Sequence, residues 1–184
     1  CISGVNEPSS GKVLLNGENL HEDYEYLKYN IGYVPQEDIV YSNLTLHDMM
    51  KNTAKLRMPD NSTQKERADK IKAVLDVVQL TDFENSYIRQ LSGGQRKRAS
   101  IATELIADPS LIFLDEPTSG LDPDTERSVM QTLQKMSRMG KTIILVTHNT
   151  LNLHLCDKVA FFGAGGSCIT SGIETPGMVF RKLI

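Results

Sequence analysis

Two apolar runs separated by one amphipathic helix constrain the fold of this chain more than any other feature. Residues 111–114 and 143–146 are apolar at consecutive positions, which is typical of strands that are covered on both faces. Between them, Asp122 suits a helix N-cap, Pro123 suits the first helical position, and Gly140 suits the position after the last turn. A buried strand, a helix and a second buried strand predict a mainly parallel sheet in an α/β fold.

The rest of the chain separates into strand-forming and helix-forming regions. Further strands are predicted at residues 13–15, 31–34 and 159–162. Helices are predicted at residues 45–56, 63–80 and 92–107. We therefore expect one domain over residues 1–184, in which 1–36 and 108–184 form the sheet core and about 37–107 form an inserted helical subdomain.

Composition excludes some classes of partner and of location. The formal net charge is −3, so the chain has no overall positive field and we expect no nucleic-acid partner. Cys1, Cys156 and Cys168 have the spacing of neither a disulfide framework nor a metal site, which favours a reducing compartment. No run approaches the roughly 18 apolar residues of a membrane helix, so we expect any work at a membrane to be done from outside the bilayer.

Two adjacent carboxylates follow the apolar run at 111–114. Asp115 and Glu116 stand at the carboxyl end of a predicted buried strand, where α/β sheets place their ligands. Neighbouring residues at a strand end point in different directions, so Asp115 can address a hydrated Mg²⁺ while Glu116 faces an attacking water. An isolated Asp-Glu pair is more often a solvated turn, and the flanking pattern decides between the two interpretations.

A second unusual segment opens the helix predicted at 92–107. Ser92 and Gln95 form a capping box by sequence, which is a purely structural interpretation. However, Gly93 and Gly94 are poor helix formers, and residues 96–98 place three basic side chains where the helix dipole disfavours cations. A phosphate bound at this helix N-terminus would account for both features.

Together these segments resemble the ABC ATPases. Residues 91–95 resemble the signature motif, and residues 111–116 resemble the Walker B strand. Gln36 is similar to the Q-loop glutamine, and Asp122 ends a segment, 119–122, that is similar to the D-loop. His148 follows the strand predicted at 143–146 as the family's switch histidine does, whereas a histidine at a strand end is otherwise more often structural.

The resemblance implies an α/β core like that of P-loop NTPases and an ATP-hydrolysing motor domain of an ABC transporter, with ATP and Mg²⁺ as ligands. It implies that Glu116 is the catalytic base or positions the attacking water, that His148 contacts the γ-phosphate, and that Asp115 and Gln36 hold Mg²⁺ and water. It further implies that a second ABC cassette completes each site, through the signature and D-loop residues Ser92, Gly93, Gly94, Gln95 and Asp122.

The resemblance is narrower for the G-type half transporters and their bacterial relatives, through residues 33–38, 43–45, 55–59 and 96–98. In those proteins a transmembrane permease domain shares the chain with the cassette, so we expect a location at the cytoplasmic face of the cell membrane. Two alternatives are a soluble ABC ATPase of translation or DNA repair, and a fragment that does not hydrolyse ATP. The compact insert between Gln36 and Leu91 contains no cysteine for a zinc module, which favours the transporter type.

The family's phosphate-binding loop, G-x-x-x-x-G-K-[ST], is absent from the 184 residues. Residues 140–142 supply its last three letters, but Lys135 stands where the first glycine belongs, and the segment leads from a helix into a strand. Residues 163–166 are glycine-rich but predict a tight turn between edge strands. We expect that the chain is truncated before Cys1, natural loss being the alternative, and that the 184 residues alone are inactive.

Overall fold

The main sheet has six strands, which lie side by side in the order β3 (Ile31–Val34), β4 (Leu111–Asp115), β5 (Thr142–Val146), β8 (Met178–Leu183), β6 (Lys158–Phe162) and β7 (Cys168–Ser171). The structure is a computed structural model that describes residues 3–4, 6–162, 168–171 and 178–183. Neighbouring strands of the sheet are parallel, except that β7 runs antiparallel to β6 at one edge. The predicted α/β class with a mainly parallel sheet is confirmed.

Five α-helices accompany the described strands. The short α1 (Tyr24–Leu27) precedes β3, and α5 (Pro123–Arg138) connects β4 to β5. Three helices lie in the chain between β3 and β4, where the helical insertion is predicted: α2 (Leu46–Arg57), α3 (Gln64–Val77) and α4 (Gly93–Leu105). No helix among the described residues combines the length and apolar character needed to cross a membrane.

The helix boundaries follow local capping chemistry. Thr63 and Ser92 each accept a hydrogen bond from the backbone N–H three residues later, in capping boxes with Glu66 and Gln95. Asp122 caps α5 in the same way, ahead of Pro123 at the first helical position. Each of these caps is predicted by the sequence.

One hydrophobic core joins the helical insertion to the sheet. The predicted apolar faces of α3, α4 and α5 are buried, and they pack in one cluster with β3, β4 and β5. The apolar residues of β4, at 111–114, are all buried, as expected of a strand covered on both faces. This shared core fixes the insertion against the sheet, and so fixes the start of α4 relative to the strand ends.

The strand predicted at 13–15 differs from the observed structure. Only β1 (Leu14–Leu15) forms, and it pairs antiparallel with β2 (Glu18–Asn19) in a separate two-stranded sheet. The connecting Asn16 and Gly17 both have positive φ, as a two-residue hairpin turn requires. Because a tight turn satisfies the pairing locally, this segment does not join the main sheet. The turn predicted at 163–166 lies outside the described residues.

Candidate functional site

Three adjacent parallel strands bring the predicted residues to one edge of the sheet. Val34 of β3 is in register with Leu114 of β4, and Leu114 with Leu145 of β5. Because parallel strands end at the same edge, Gln36, the Asp115–Glu116 pair and His148 all follow this common line.

Glu116 is held rigidly just beyond β4. Its backbone N–H donates to the carbonyl of Val146 at 2.9 Å, which extends the pairing of β4 with β5 by one residue. Its φ is +43°, in the left-handed region that a residue with a Cβ seldom adopts. This conformation costs about 1–3 kcal/mol and is common at functional sites, where the surrounding structure maintains it.

The Glu116 carboxylate is bound by the segment that follows β5. Its Oε1 accepts the backbone N–H of His148 at 3.1 Å and lies 2.9 Å from Nδ1 of the His148 ring, while Oε2 lies 3.4 Å from the Thr147 hydroxyl. The Glu116 side chain is 18% exposed, whereas that of His148 is 69% exposed. The carboxylate is thus fixed beside an imidazole that is open to solvent.

Asp115 ends β4 and is half-buried. Its Oδ2 lies 3.5 Å from the hydroxyl of Tyr33, whose pKa is raised by burial and by the Asp115 charge. Among the described residues no three His, Cys, Asp or Glu side chains are grouped as a metal site. Mg²⁺ usually takes one or two protein carboxylates as ligands and completes its coordination shell with water and phosphate oxygens. Asp115 therefore suits the role of one carboxylate ligand in such a site.

The backbone around Gln36 is held by a buried lysine that the sequence interpretation did not assign to this role. Lys97 Nζ donates to the carbonyls of Gln36 at 2.8 Å and Pro35 at 3.3 Å, and it lies 2.7 Å from Asp38 Oδ1. The side chain of Gln36 itself is exposed. Lys97 therefore ties the loop after β3 to the second turn of α4.

This contact corrects the charge argument made from residues 96–98. Lys97 is engaged with the Gln36 loop, Arg96 donates to the carbonyl of Leu91 at 2.5 Å, and Arg98 donates to Gln79 at 3.3 Å. These internal contacts account for the three basic side chains without a bound anion.

The paired glycines at the start of α4 also have a packing reason. A Cβ added to Gly94 would lie 2.2 Å from Cγ2 of Thr125, and one added to Gly93 would lie 3.2 Å from a methyl group of Leu121. Glycine thus lets the start of α4 approach the start of α5 closely. Ser92 remains exposed, with its hydroxyl accepting the N–H of Gln95 at 3.3 Å.

Asp122 joins this region as the N-cap of α5. Its Oδ1 accepts the Thr125 N–H at 3.0 Å, and hydrogen bonds from the hydroxyl and the N–H of Thr125 hold the pKa of its carboxyl below the ordinary value. The residue pair that resembles the end of a phosphate loop, Gly140 and Lys141, has a different role. Gly140 follows α5 with a φ of +91°, and Lys141 pairs with Asp108 at 3.0 Å.

Sequence reasoning missed Lys97, Thr147 and Glu126 as members of this region. A lysine in a basic run resembles a solvated surface, and its partner lies about sixty positions away, so no local pattern reveals the contact. Glu126, whose carboxylate accepts hydrogen bonds from Asn149 and Asn152 in the segment after His148, was overlooked because an acidic residue in the first turn of a helix is ordinary.

Comparison with known proteins agrees with this geometry. The model of the family described as ABC transporter matches residues 1–119. The ABC transporter ATP-binding/permease protein Rv1747 of Mycobacterium tuberculosis is 39% identical over 174 residues, covering 95% of this chain and 20% of the relative. The broad substrate specificity ATP-binding cassette transporter ABCG2 of Sus scrofa is 43% identical over 144 residues, covering 76% of this chain and 22% of the relative. The chain thus spans about a fifth of the length of these relatives.

Two solved structures share the fold. CbiO1 from Clostridium perfringens, part of the ABC transporter complex cbiONQ, has a TM-score of 0.78 at 28% identity, covering 86% of this chain and 64% of its own. The dimeric post-hydrolysis state of the ATP-binding cassette MJ0796, bound to ADP and Pi, has a TM-score of 0.70 at 26% identity, covering 86% of this chain and 72% of its own. This chain, whose sheet edge carries Asp115, Glu116 and His148, therefore belongs to the ABC transporter family.

Proposed function

We propose that this chain is the body of an ATP-hydrolysing cassette that drives a transporter through a sandwich dimer. The observation that carries the proposal is the Glu116 carboxylate, which is fixed beside His148 at the carboxyl edge of the sheet. A carboxylate beside an exposed imidazole at this edge suits a reaction in which water attacks a phosphoryl group.

Each residue of the edge has one role in this proposal. Glu116 accepts a proton from the attacking water or orients it, because its two oxygens are held by Thr147 and His148. His148 contacts the terminal phosphate through its exposed ring. Asp115 and Gln36 would hold Mg²⁺ and its water, and the bound metal would neutralise phosphate charge.

The signature residues act on the nucleotide of a second cassette. Ser92 is exposed at the N-terminus of α4, where free backbone N–H groups and the helix dipole favour an anion. Gly93, Gly94, Gln95 and Asp122 lie at the starts of α4 and α5, which approach each other closely where Gly94 is buried against Thr125. A transmembrane permease domain is the partner that uses the work, and the cassette lies on the cytoplasmic face of the membrane.

The experiment uses the 184-residue chain and the same chain extended before Cys1 by the phosphate-binding segment of a family member. We expect negligible ATP hydrolysis by the 184 residues and Mg²⁺-dependent turnover by the extended chain. In the extended chain, Glu116→Gln should reduce turnover by roughly 10² to 10⁴, the range expected for loss of a proton-transfer group. ATP binding should remain, and an ATP-bound dimer should accumulate on size-exclusion chromatography.

Glu84→Gln provides a matched control, because Glu84 Oε1 also lies 2.8 Å from a histidine ring nitrogen, that of His47. This variant should hydrolyse ATP at the parent rate. Turnover by Glu116→Gln equal to that of Glu84→Gln would refute the role given to Glu116.

A further inference from the structure

A buried carboxylate outside the proposed catalytic set contacts the segment that carries His148. Among the acidic side chains of the described chain, that of Glu126 is the one that is buried, with 4% of the residue exposed. It lies in the first turn of α5, where the helix dipole favours a negative charge. The ion pairs found among the described residues do not include it. Such a group is costly to bury unless hydrogen bonds satisfy its oxygens.

Two asparagines satisfy the Glu126 carboxylate. Asn149 Nδ2 donates to Oε2 at 2.6 Å, and Asn152 Nδ2 donates to Oε1 at 2.8 Å. Both asparagines belong to the segment directly after His148. We call Glu126, Asn149 and Asn152 the Glu126 clamp.

The orientation of the Asn149 amide is fixed by a second bond. Its Oδ1 accepts the backbone N–H of Leu151 at 3.0 Å, so the Nδ2 group must face Glu126. A turn of the amide would break that bond. Glu126 therefore presents one accepting oxygen to each asparagine, which a carboxylate can do and an amide, with its single oxygen, cannot.

The clamp continues into the contacts of Glu116. The backbone N–H of Asn149 donates to Thr147 Oγ1 at 3.0 Å, and Thr147 and His148 both contact the Glu116 carboxylate. His148 thus stands between two anchored neighbours. One anchor is the carboxyl end of β4, and the other is the first turn of α5.

We propose that Glu126 is a positioning residue that sets the placement of His148 relative to Glu116. Since α5 begins at Pro123, directly after the segment 119–122, the clamp also connects that segment rigidly to His148. The kinetic consequence rests on the proposed function, because it uses the role given to His148. The placement itself does not.

The test compares Glu126→Gln, Asn149→Asp and the double variant with the parent chain. Glu126→Gln keeps the shape of the side chain but sets an amide N–H against an asparagine N–H. Asn149→Asp sets two carboxylates together. Each single change should speed hydrogen exchange of the His148 amide, measured by NMR, by about tenfold. In the extended chain, each should lower kcat by about tenfold while changing KM by less than about twofold.

The double variant exchanges the hydrogen-bond donor and acceptor between positions 126 and 149. The amide introduced at position 126 then donates to the carboxylate introduced at position 149. That carboxylate still accepts the Leu151 N–H, and Asn152 still donates to the side chain at position 126. We expect the double variant to recover most of the exchange protection, which is the signature of a direct interaction in a double-mutant cycle. Thr132→Val is the control, since Thr132 is buried on the same helix and its hydroxyl donates to the Ser128 carbonyl, at 3.0 Å, within that helix.

The outcomes are separable. Parent-like exchange in the single variants, or no recovery in the double variant, overturns the proposal, and if one single variant does not fold the other and the double variant still decide it. If the variants show the predicted exchange pattern but the extended parent chain does not hydrolyse ATP, the result supports the clamp and rejects the proposed function.

Discussion

Replacing Lys97 with methionine removes one buried charge and leaves the volume of the side chain nearly unchanged. The Lys97 side chain is 6% exposed and that of Asp38 is 22% exposed, and the ammonium also binds the carbonyls of Pro35 and Gln36. Breaking a buried ion pair by removing one partner usually costs about 3–5 kcal/mol. Because the partly exposed Asp38 can regain water, we expect Lys97→Met to lower the free energy of unfolding by about 2–4 kcal/mol.

The assay is urea unfolding of the parent, Lys97→Met, Asp38→Asn and the double variant, followed by circular dichroism. The double-mutant cycle should give a coupling energy of about 1–3 kcal/mol. Lys70→Met is the matched control, because Lys70 lies 2.9 Å from Asp108 in a pair whose side chains are 27% and 67% exposed. Such a surface pair contributes at most about 1 kcal/mol.

A loss no larger than that of Lys70→Met would refute the reasoning. It would mean that Lys97 leaves the Gln36 loop in solution and that the loop is not tied to α4. Amide exchange at Gln36 that is unchanged by Lys97→Met would lead to the same conclusion.

Two further predictions concern the helix starts. In the extended chain, Ser92→Asp keeps an N-cap but places a carboxylate at the proposed phosphate site, so ATP hydrolysis should fall at least about tenfold while the midpoint of thermal unfolding is retained. Thr63→Asp, the same kind of change at the N-cap of α3, should leave hydrolysis unchanged. Equal activities of the two variants would contradict the anion site. Hydrogen bonds from Thr125 to Asp122, from Thr63 to Glu66 and from Lys70 to Asp108 hold the pKa of each carboxyl below its ordinary value of 3.8 for Asp or 4.5 for Glu. These groups stabilise the fold above those ordinary values, and their contribution is lost as pH falls through the lower folded values. At pH values below about 4, the midpoint temperature of thermal unfolding of the parent should therefore decrease. Asp122→Asn caps the helix without titrating, so its midpoint should rise relative to that of the parent in this pH range. A difference between the two midpoints that stays constant with pH would contradict this assignment.

The sequence determined the features that depend on neighbouring residues. Thr63, Ser92 and Asp122 cap their helices as predicted, because a cap is a hydrogen bond to an N–H three residues later. The apolar runs predicted β4 and β5, and they placed Asp115, Glu116 and His148 at strand ends. The local pattern singled out Asp115 and Glu116, whereas the role predicted for His148 came from the family resemblance. Because parallel strands end at one edge, all three residues follow the same line.

Only the tertiary structure decided what depends on distant partners. The insertion of β8 between β5 and β6 is a choice of sheet order that apolar periodicity does not encode. Lys97 is buried because the loop after β3 supplies carbonyls and a carboxylate as partners. Position 94 requires glycine because a Cβ there would lie 2.2 Å from Thr125 Cγ2. Glu126 likewise bonds to residues more than twenty positions away. Sequence spacing carries no information about such contacts, because the packing of whole helices and strands brings these atoms together.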